Sequence, residues 1–105
     1  MTKELQKGDF GFDLNFTAAD QSGTELNLSG GSVWFKMGLA NTNVTSLSGA
    51  CTIDVAASGT CHYTVGSNDL GSIGTYQWEL ESIFGTTKKI TTSRTENIVI
   101  KNNLN

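Results

Sequence analysis

The stretch Phe10-Gly-Phe-Asp-Leu-Asn-Phe-Thr-Ala18 decides the fold class, because apolar and polar residues alternate along its whole length. Successive side chains of a strand point to opposite faces, so this segment places three phenylalanines and a leucine on one surface. A strand with one apolar face covers a hydrophobic core. The same alternation recurs in four later segments, 33–39, 51–55, 61–65 and 76–80. The sequence therefore predicts an all-β protein.

Clusters of Gly, Ser, Asn and Asp lie between the alternating runs, where they favour turns. Their spacing is typical of an Ig-like antiparallel β-sandwich of about seven strands, and the length fits a single domain, residues 1–105. We expect strands near 10–18, 25–28, 32–39, 49–55, 60–66, 75–82 and 87–100, the last broken around Ser93. The expected core consists of Phe10, Phe12, Leu14, Phe16, Phe35, Ile53, Tyr63, Tyr76, Trp78 and Leu80.

The composition argues against two classes of partner. Seven basic and ten acidic residues give a net charge of -3, and no basic cluster exceeds the pair Lys88-Lys89. No nucleic acid is expected as a partner, because its phosphates are bound by several cations. No membrane is expected either, because no apolar run approaches the roughly 20 residues of a spanning helix. The segment from Met1 to Phe10 has no apolar stretch, so we expect no cleaved signal peptide.

Five short motifs give the chain a resemblance to a known family. They are KGD-x-GFDLNF at 7–16, D-x-SG-x-x-LNLSG at 20–30, V-x-FKM at 33–37, A-x-SGT at 56–60 and GTYQWELE at 74–81. In this order and spacing they resemble the N-terminal domain of the baseplate upper proteins of tailed phages. That family has an Ig-like β-sandwich that anchors a host-recognition device to the phage tail.

The resemblance implies a structural or adaptor protein of a phage particle, in the tail or baseplate, that acts through protein–protein contacts. The expected partners are other virion proteins or further copies of the same chain. The expected location is the virion, which is assembled in the host cytoplasm. The resemblance implies no catalytic residue and no cofactor, so an enzyme is not expected.

Trp34 is the residue that a monomer explains least. It alternates out of phase with Val33 and Phe35, so we expect it on the outer face beside Lys36. Exposed tryptophan is enriched at binding hot spots, which makes Trp34 and Lys36 candidate interface residues. A further layer or a chain terminus that covers the ring is the structural alternative. The functional alternative is a carbohydrate-binding or adhesin-like sandwich, in which Trp34 or Trp78 stacks on sugar rings.

Two polar features resemble chemical sites in part. Glu79 and Glu81 share one face of a strand, their Cα atoms about 6.5 Å apart, close to the separation of paired glycosidase carboxylates. A small hydrolase is therefore the enzymatic alternative, although a solvated outer face explains the same pair. His62 is the single histidine of the chain and is expected to face solvent, since one imidazole forms no metal site alone. We predict no catalytic residue and no metal ligand.

Two loop features are also expected to be structural. The segment from Asp20 to Glu25 has oxygen ligands at loop spacing, but it lacks most ligands of a calcium loop, and a hairpin turn explains it. Three Asn-x-Ser/Thr sites occur, at Asn15, Asn27 and Asn43. Asn15 falls in the middle of an expected strand, and no secretion signal is expected. All three asparagines are therefore expected to be unmodified.

Cys51 and Cys61 lie on strands that a short turn joins, and both have the parity of core residues. A disulfide requires Cα atoms about 4.4 to 6.8 Å apart, a distance that depends on the hairpin register. A disulfide between Cys51 and Cys61 and two buried free thiols are both compatible with the sequence. A reducing cytosol favours the thiols.

Overall fold

A computed structural model describes residues 2–20, 22–40, 45–93 and 97–102 of the chain. Over these residues the chain forms nine strands and one turn of 3-10 helix, Ala56–Ser58. The strands are β1 (Thr2–Gln6), β2 (Asp13–Thr17), β3 (Ser32–Leu39), β4 (Leu47–Ala50), β5 (Thr52–Val55), β6 (Thr60–Thr64), β7 (Gly74–Phe84), β8 (Lys88–Ser93) and β9 (Asn97–Lys101).

The strands are divided between two sheets that pack as a sandwich. One sheet has the order β1-β9-β7-β3-β4, with β8 as a further partner of β7, and the other has the order β2-β6-β5. Neighbouring strands are antiparallel except for β1 and β9, which are parallel. The predicted all-β sandwich is confirmed. The parallel pair was not expected, because β1 reads Thr-Lys-Glu-Leu-Gln and has no apolar alternation to indicate a strand.

The core between the sheets is built around aromatic rings. Phe16 of the three-stranded sheet lies 4.7 Å from Trp78 and 5.2 Å from Phe35 of the opposite sheet, measured between ring centroids. Phe35 stacks in turn on Tyr63 of the three-stranded sheet at 5.1 Å. Offset ring pairs at these distances stabilise a core beyond the area that they bury. The alternation of the sequence therefore fixes which faces of the two sheets meet.

The strand order and one hydrogen bond agree with an Ig-like sandwich. The sheet β2-β6-β5 corresponds in strand order to strands B, E and D of immunoglobulin domains. In the opposite sheet, β3 and β7 correspond to strands C and F, and β8 and β9, which both pair with β7, take the place of strand G. The hydroxyl of Tyr76 donates to the carbonyl of Ser72 at 3.0 Å, the contact of a tyrosine corner. Two residues later, where antibody domains have a cysteine of the inter-sheet disulfide, this chain has Trp78 packed on Phe16. Ring packing thus replaces a covalent link between the sheets.

Most of the expected core residues are buried, but Phe10 is not. Phe12 and Ile53 are partly buried at the rim of the core. The buried ones are Leu14, Phe16, Phe35, Tyr63, Tyr76, Trp78 and Leu80. Phe10 is 62% exposed, so its expected place in the core is wrong. The reason is the turn at Gly11, whose φ of 83° lies in the left-handed region. The strand β2 therefore begins only at Asp13, and Phe10 lies outside it.

Three expected strands differ from the structure in their extent. Segment 25–28 forms only one bridge, between Ala19 and Glu25. Segment 49–55 contains the end of β4 and all of β5, which belong to different sheets because the chain crosses between them at Cys51. Segment 87–100 divides into β8, which ends at Ser93, and β9, so the expected break is confirmed. Both pieces pair with β7.

Candidate interaction surface

Trp34 stands on the outer face of the six-stranded sheet, as its position in the alternation predicts. Its neighbours Val33 and Phe35 are buried, whereas 40% of the Trp34 surface is exposed. In the sheet it lies between Ala50 of β4 and Glu81 of β7. The indole is thus held on a rigid central strand instead of a loop.

The small side chains of β4 leave the indole uncovered. Ser48 and Ala50 share the outer face with Trp34, and both are exposed. Gly49 faces the core, where an added Cβ would lie 2.3 Å from Cε1 of Tyr63. The packing of Tyr63 therefore explains the glycine, but it does not explain the small residues on the outer face.

Lys36 belongs to a charged group beside Trp34. Its Nζ lies 3.0 Å from Oε1 of Glu81, and Nζ of Lys89 lies 3.5 Å from the other carboxylate oxygen. The hydrogen bond from Lys36, with the charge of Lys89, lowers the pKa of Glu81. Both Lys36 and Glu81 are largely shielded from solvent. The predicted interface residue Lys36 is therefore an ion-paired lysine beside the indole.

This ion-pair group bears on the hydrolase alternative. A glycosidase acid must hold a proton near neutral pH, which requires a raised pKa. The two lysines act in the opposite direction on Glu81 and keep it ionised. Glu79 shares the outer face, opposite Lys36 in the pairing of β3 and β7. The pair is thus part of a charged sheet face, and Glu81 is unsuited to the role of general acid.

His62 lies on the outer face of the three-stranded sheet, whereas Trp34 lies on the outer face of the six-stranded sheet. Its Nδ1 is 2.8 and 2.9 Å from the two carboxylate oxygens of Asp54. This hydrogen bond raises the pKa of His62. An open hollow lies beside the pair, lined by Asn15, Phe16, Thr17, Asp54, Thr60 and Cys61. Within the described ranges, no group of three or more His, Cys, Asp or Glu side chains is placed to hold a metal ion.

In the segment from Asp20 to Glu25, Asp20 and Gly23 form the expected turn. The Oδ1 atom of Asp20 accepts hydrogen bonds from the backbone amides of Ser22, at 2.9 Å, and Thr24, at 3.0 Å. Gly23 has a φ of 85° in this turn. The same kind of local bond occurs at Asn27, whose Oδ1 accepts from the amide of Ser29 at 3.0 Å.

The other two candidate glycosylation sites differ in what the structure describes. Asn15 lies within β2 and pairs with His62 across the ladder. Asn43 lies outside the described residues.

Both cysteines are free thiols in the structure. Cys61 is buried, and Cys51 is partly buried at the point where the chain passes from β4 to β5. A hydrogen bond between the two side chains, together with burial, raises the pKa of Cys51. Cys51 is therefore a protonated thiol, and both cysteines pack in or against the core.

Two features of the outer sheet face were not found from the sequence. One is the contact of Lys89 with Glu81, which requires the register of β7 and β8. The other is the position of β4 at the edge of its sheet, because segment 49–55 was expected to be one strand. A signal for the second was present in the run Leu47-Ser-Gly-Ala50, whose small uncharged residues differ from the neighbouring strands.

The chain matches no protein-family model and no curated protein. Over the part of the chain that the structure describes, no helix is both long and apolar enough to cross a membrane.

Proposed function

We propose that the chain is a structural or adaptor protein of a phage particle, in the tail or baseplate, that acts through protein–protein contacts and not as an enzyme. Its place would be the virion, assembled in the host cytoplasm. Two observations support the proposal. The motifs between residues 7 and 81 resemble a baseplate domain, and Trp34 is exposed on a rigid sheet face. The exposed indole carries the proposal of a contact surface.

The surroundings of Trp34 suit burial against another protein. Charged groups are costly to bury unless they are already paired. Beside Trp34, the carboxylate of Glu81 is paired with Lys36 and Lys89. A partner that covers the indole therefore meets compensated charges on the β7 side and small side chains on the β4 side. Interface hot spots are commonly aromatic residues surrounded by contacts that exclude water and contribute little binding energy themselves.

The proposal is tested by binding to co-encoded virion proteins, with Trp34→Ala as the informative variant. We expect this change to weaken binding by about 2 kcal/mol, roughly 30-fold in Kd, with the fold intact. Val55→Ala is the matched control, because Val55 is also exposed but lies on the opposite sheet. Equal binding by both variants and the original chain would place the contact elsewhere. Absence of tail, tape-measure or lysis genes beside the coding gene would count against the phage role.

Trp34 also favours one alternative, a carbohydrate-binding module. An exposed indole on a sheet face is a platform on which a sugar ring can stack. Trp78 cannot take this role, because it is 6% exposed and packed in the core. A glycan array separates the two functions, since the alternative predicts sugar binding that is lost in Trp34→Ala.

A further inference from the structure

The outer edge of β4 has backbone groups that no described element pairs with. The amide of Cys51 donates to the carbonyl of Val33 at 2.8 Å, and the amide of Ala40 donates to Thr75 at 3.1 Å. These bonds fix the phase of the ladder, so Gly49 bonds to β3. The amides and carbonyls of Ser48 and Ala50 then point away from the sheet. Among the described residues, β4 is the last strand on this side.

Edge strands usually carry features that prevent pairing with another chain, such as charged residues and bulges. Among the described residues, the other edge strands are β1, β2, β5 and β8, and each carries a charged residue. The register of β5 is also interrupted between Ile53 and Val55. In contrast, β4 contains no charged residue, no proline and no register shift against β3. The charged residues on the other edges are Lys3 and Glu4 on β1, Asp13 on β2, Asp54 on β5, and Lys88 and Lys89 on β8.

We infer that β4 pairs antiparallel with β4 of a second copy of this chain, about a two-fold axis at Gly49. In this register Ser48 lies opposite Ala50 of the partner subunit, and each such pair exchanges two backbone hydrogen bonds. The two six-stranded sheets then form one continuous sheet. The inference rests on the proposed function, because it names one partner of the contact, a second copy, and the strand edge at which that copy binds.

A second copy fits this edge for reasons of charge and shape. When two identical edges pair about a two-fold axis, a charged residue lies close to its own copy. The edge of β4 avoids this repulsion because it is neutral, although the chain carries a net charge of -3. Gly49 brings no side chain to the axis. On the outer face, Ala50 lies opposite Ser48 of the partner subunit, so only small side chains meet across the axis.

The test is sedimentation of the full chain together with amide hydrogen exchange. We expect a concentration-dependent dimer, in which the amides of Ser48 and Ala50 become protected while they exchange freely in dilute monomer. Ser48→Lys and Ala50→Lys, both on the exposed face, should each weaken the dimer by about tenfold or more in Kd. Thr52→Lys is the matched control, because it adds the same charge to the exposed edge strand β5 and should leave the dimer unchanged.

Two results would overturn the inference. One is a chain that stays monomeric at concentrations up to about 1 mM, because its dimer Kd would then lie above about 1 mM. The other is a dimer whose Kd is the same in the chain and in both lysine variants, with Ser48 and Ala50 amides unprotected. Neither result bears on the proposed function, which is tested separately by binding to co-encoded virion proteins and by the neighbouring genes.

Discussion

Gly49 gives the sharpest prediction about stability, because an added methyl group there would overlap a fixed ring. The Cβ of an alanine would lie 2.3 Å from Cε1 and 3.0 Å from Cζ of Tyr63, whereas ordinary contacts begin near 3.4 Å. Tyr63 cannot move aside easily. Its ring stacks on Phe35, and its hydroxyl donates a hydrogen bond to the carboxylate of Asp69.

Gly49→Ala should therefore lower the free energy of unfolding by about 1 to 2 kcal/mol. Overpacking a core costs about 1 to 3 kcal/mol, and the loss of a flexible glycine from a strand offsets about 0.5 to 1 kcal/mol of this. For a domain of this size, the melting temperature should fall by roughly 5 to 15 °C. Thermal and urea unfolding measure the effect. Gly71→Ala is the control, because its Cβ would meet only an ordinary contact at 3.5 Å from the Asn68 carbonyl.

A double-mutant cycle shows whether the ring is the cause. In a Tyr63→Leu background the obstructing atoms are gone, so Gly49→Ala should become neutral or slightly stabilising. The coupling energy between the two positions should then be at least about 1 kcal/mol. The Tyr63 ring is not the cause if Gly49→Ala costs the same in both backgrounds, or if it costs no more than Gly71→Ala.

Three further predictions concern buried and charged groups. Thr92→Val should cost about 1 to 3 kcal/mol in unfolding experiments, because the hydroxyl both donates to and accepts from buried loop backbone, whereas Thr91→Val on the exposed face should be near neutral. An NMR titration should give His62 a raised pKa that falls in Asp54→Asn, and an unchanged pKa in the variant would contradict the contact. The stabilisation of the fold by this pair is present below the unfolded-state pKa of His62 and is lost as the pH rises through the folded-state pKa. Both cysteines should be alkylated in denaturant without reductant, and a melting temperature that drops by more than about 10 °C on reduction would instead indicate a native disulfide.

The sequence predicted the central strands well, because each has one fully buried face. The expected strand 32–39 agrees with β3, and 75–82 lies within β7. The peripheral strands were harder to predict. Strand β1 owes its place to hydrogen bonds with β9 and has little apolar alternation, so no local signal marks it. At Phe10 the alternation was misleading, since it continues through the turn at Gly11.

The candidate surface could be predicted only in part. The outward direction of Trp34 follows from strand parity alone and is confirmed. The ion pair of Glu81 with Lys89 depends on the register of β7 and β8, because the register decides which side chains of the two strands are neighbours. The edge position of β4 depends on the crossing between sheets at Cys51, where the alternation runs on without interruption. Parity is a local property, whereas register and sheet order depend on the whole fold.

The most direct test of the contact surface follows the two tryptophans by fluorine NMR. Incorporation of 5-fluorotryptophan gives one resonance for Trp34 and one for Trp78, which Trp34→Phe assigns. The shift difference between H2O and D2O reports how far solvent reaches each ring. On association with a virion protein, we predict that this difference decreases for Trp34 and stays small for buried Trp78. Association with a virion protein that leaves the solvent shift of Trp34 unchanged would contradict the account.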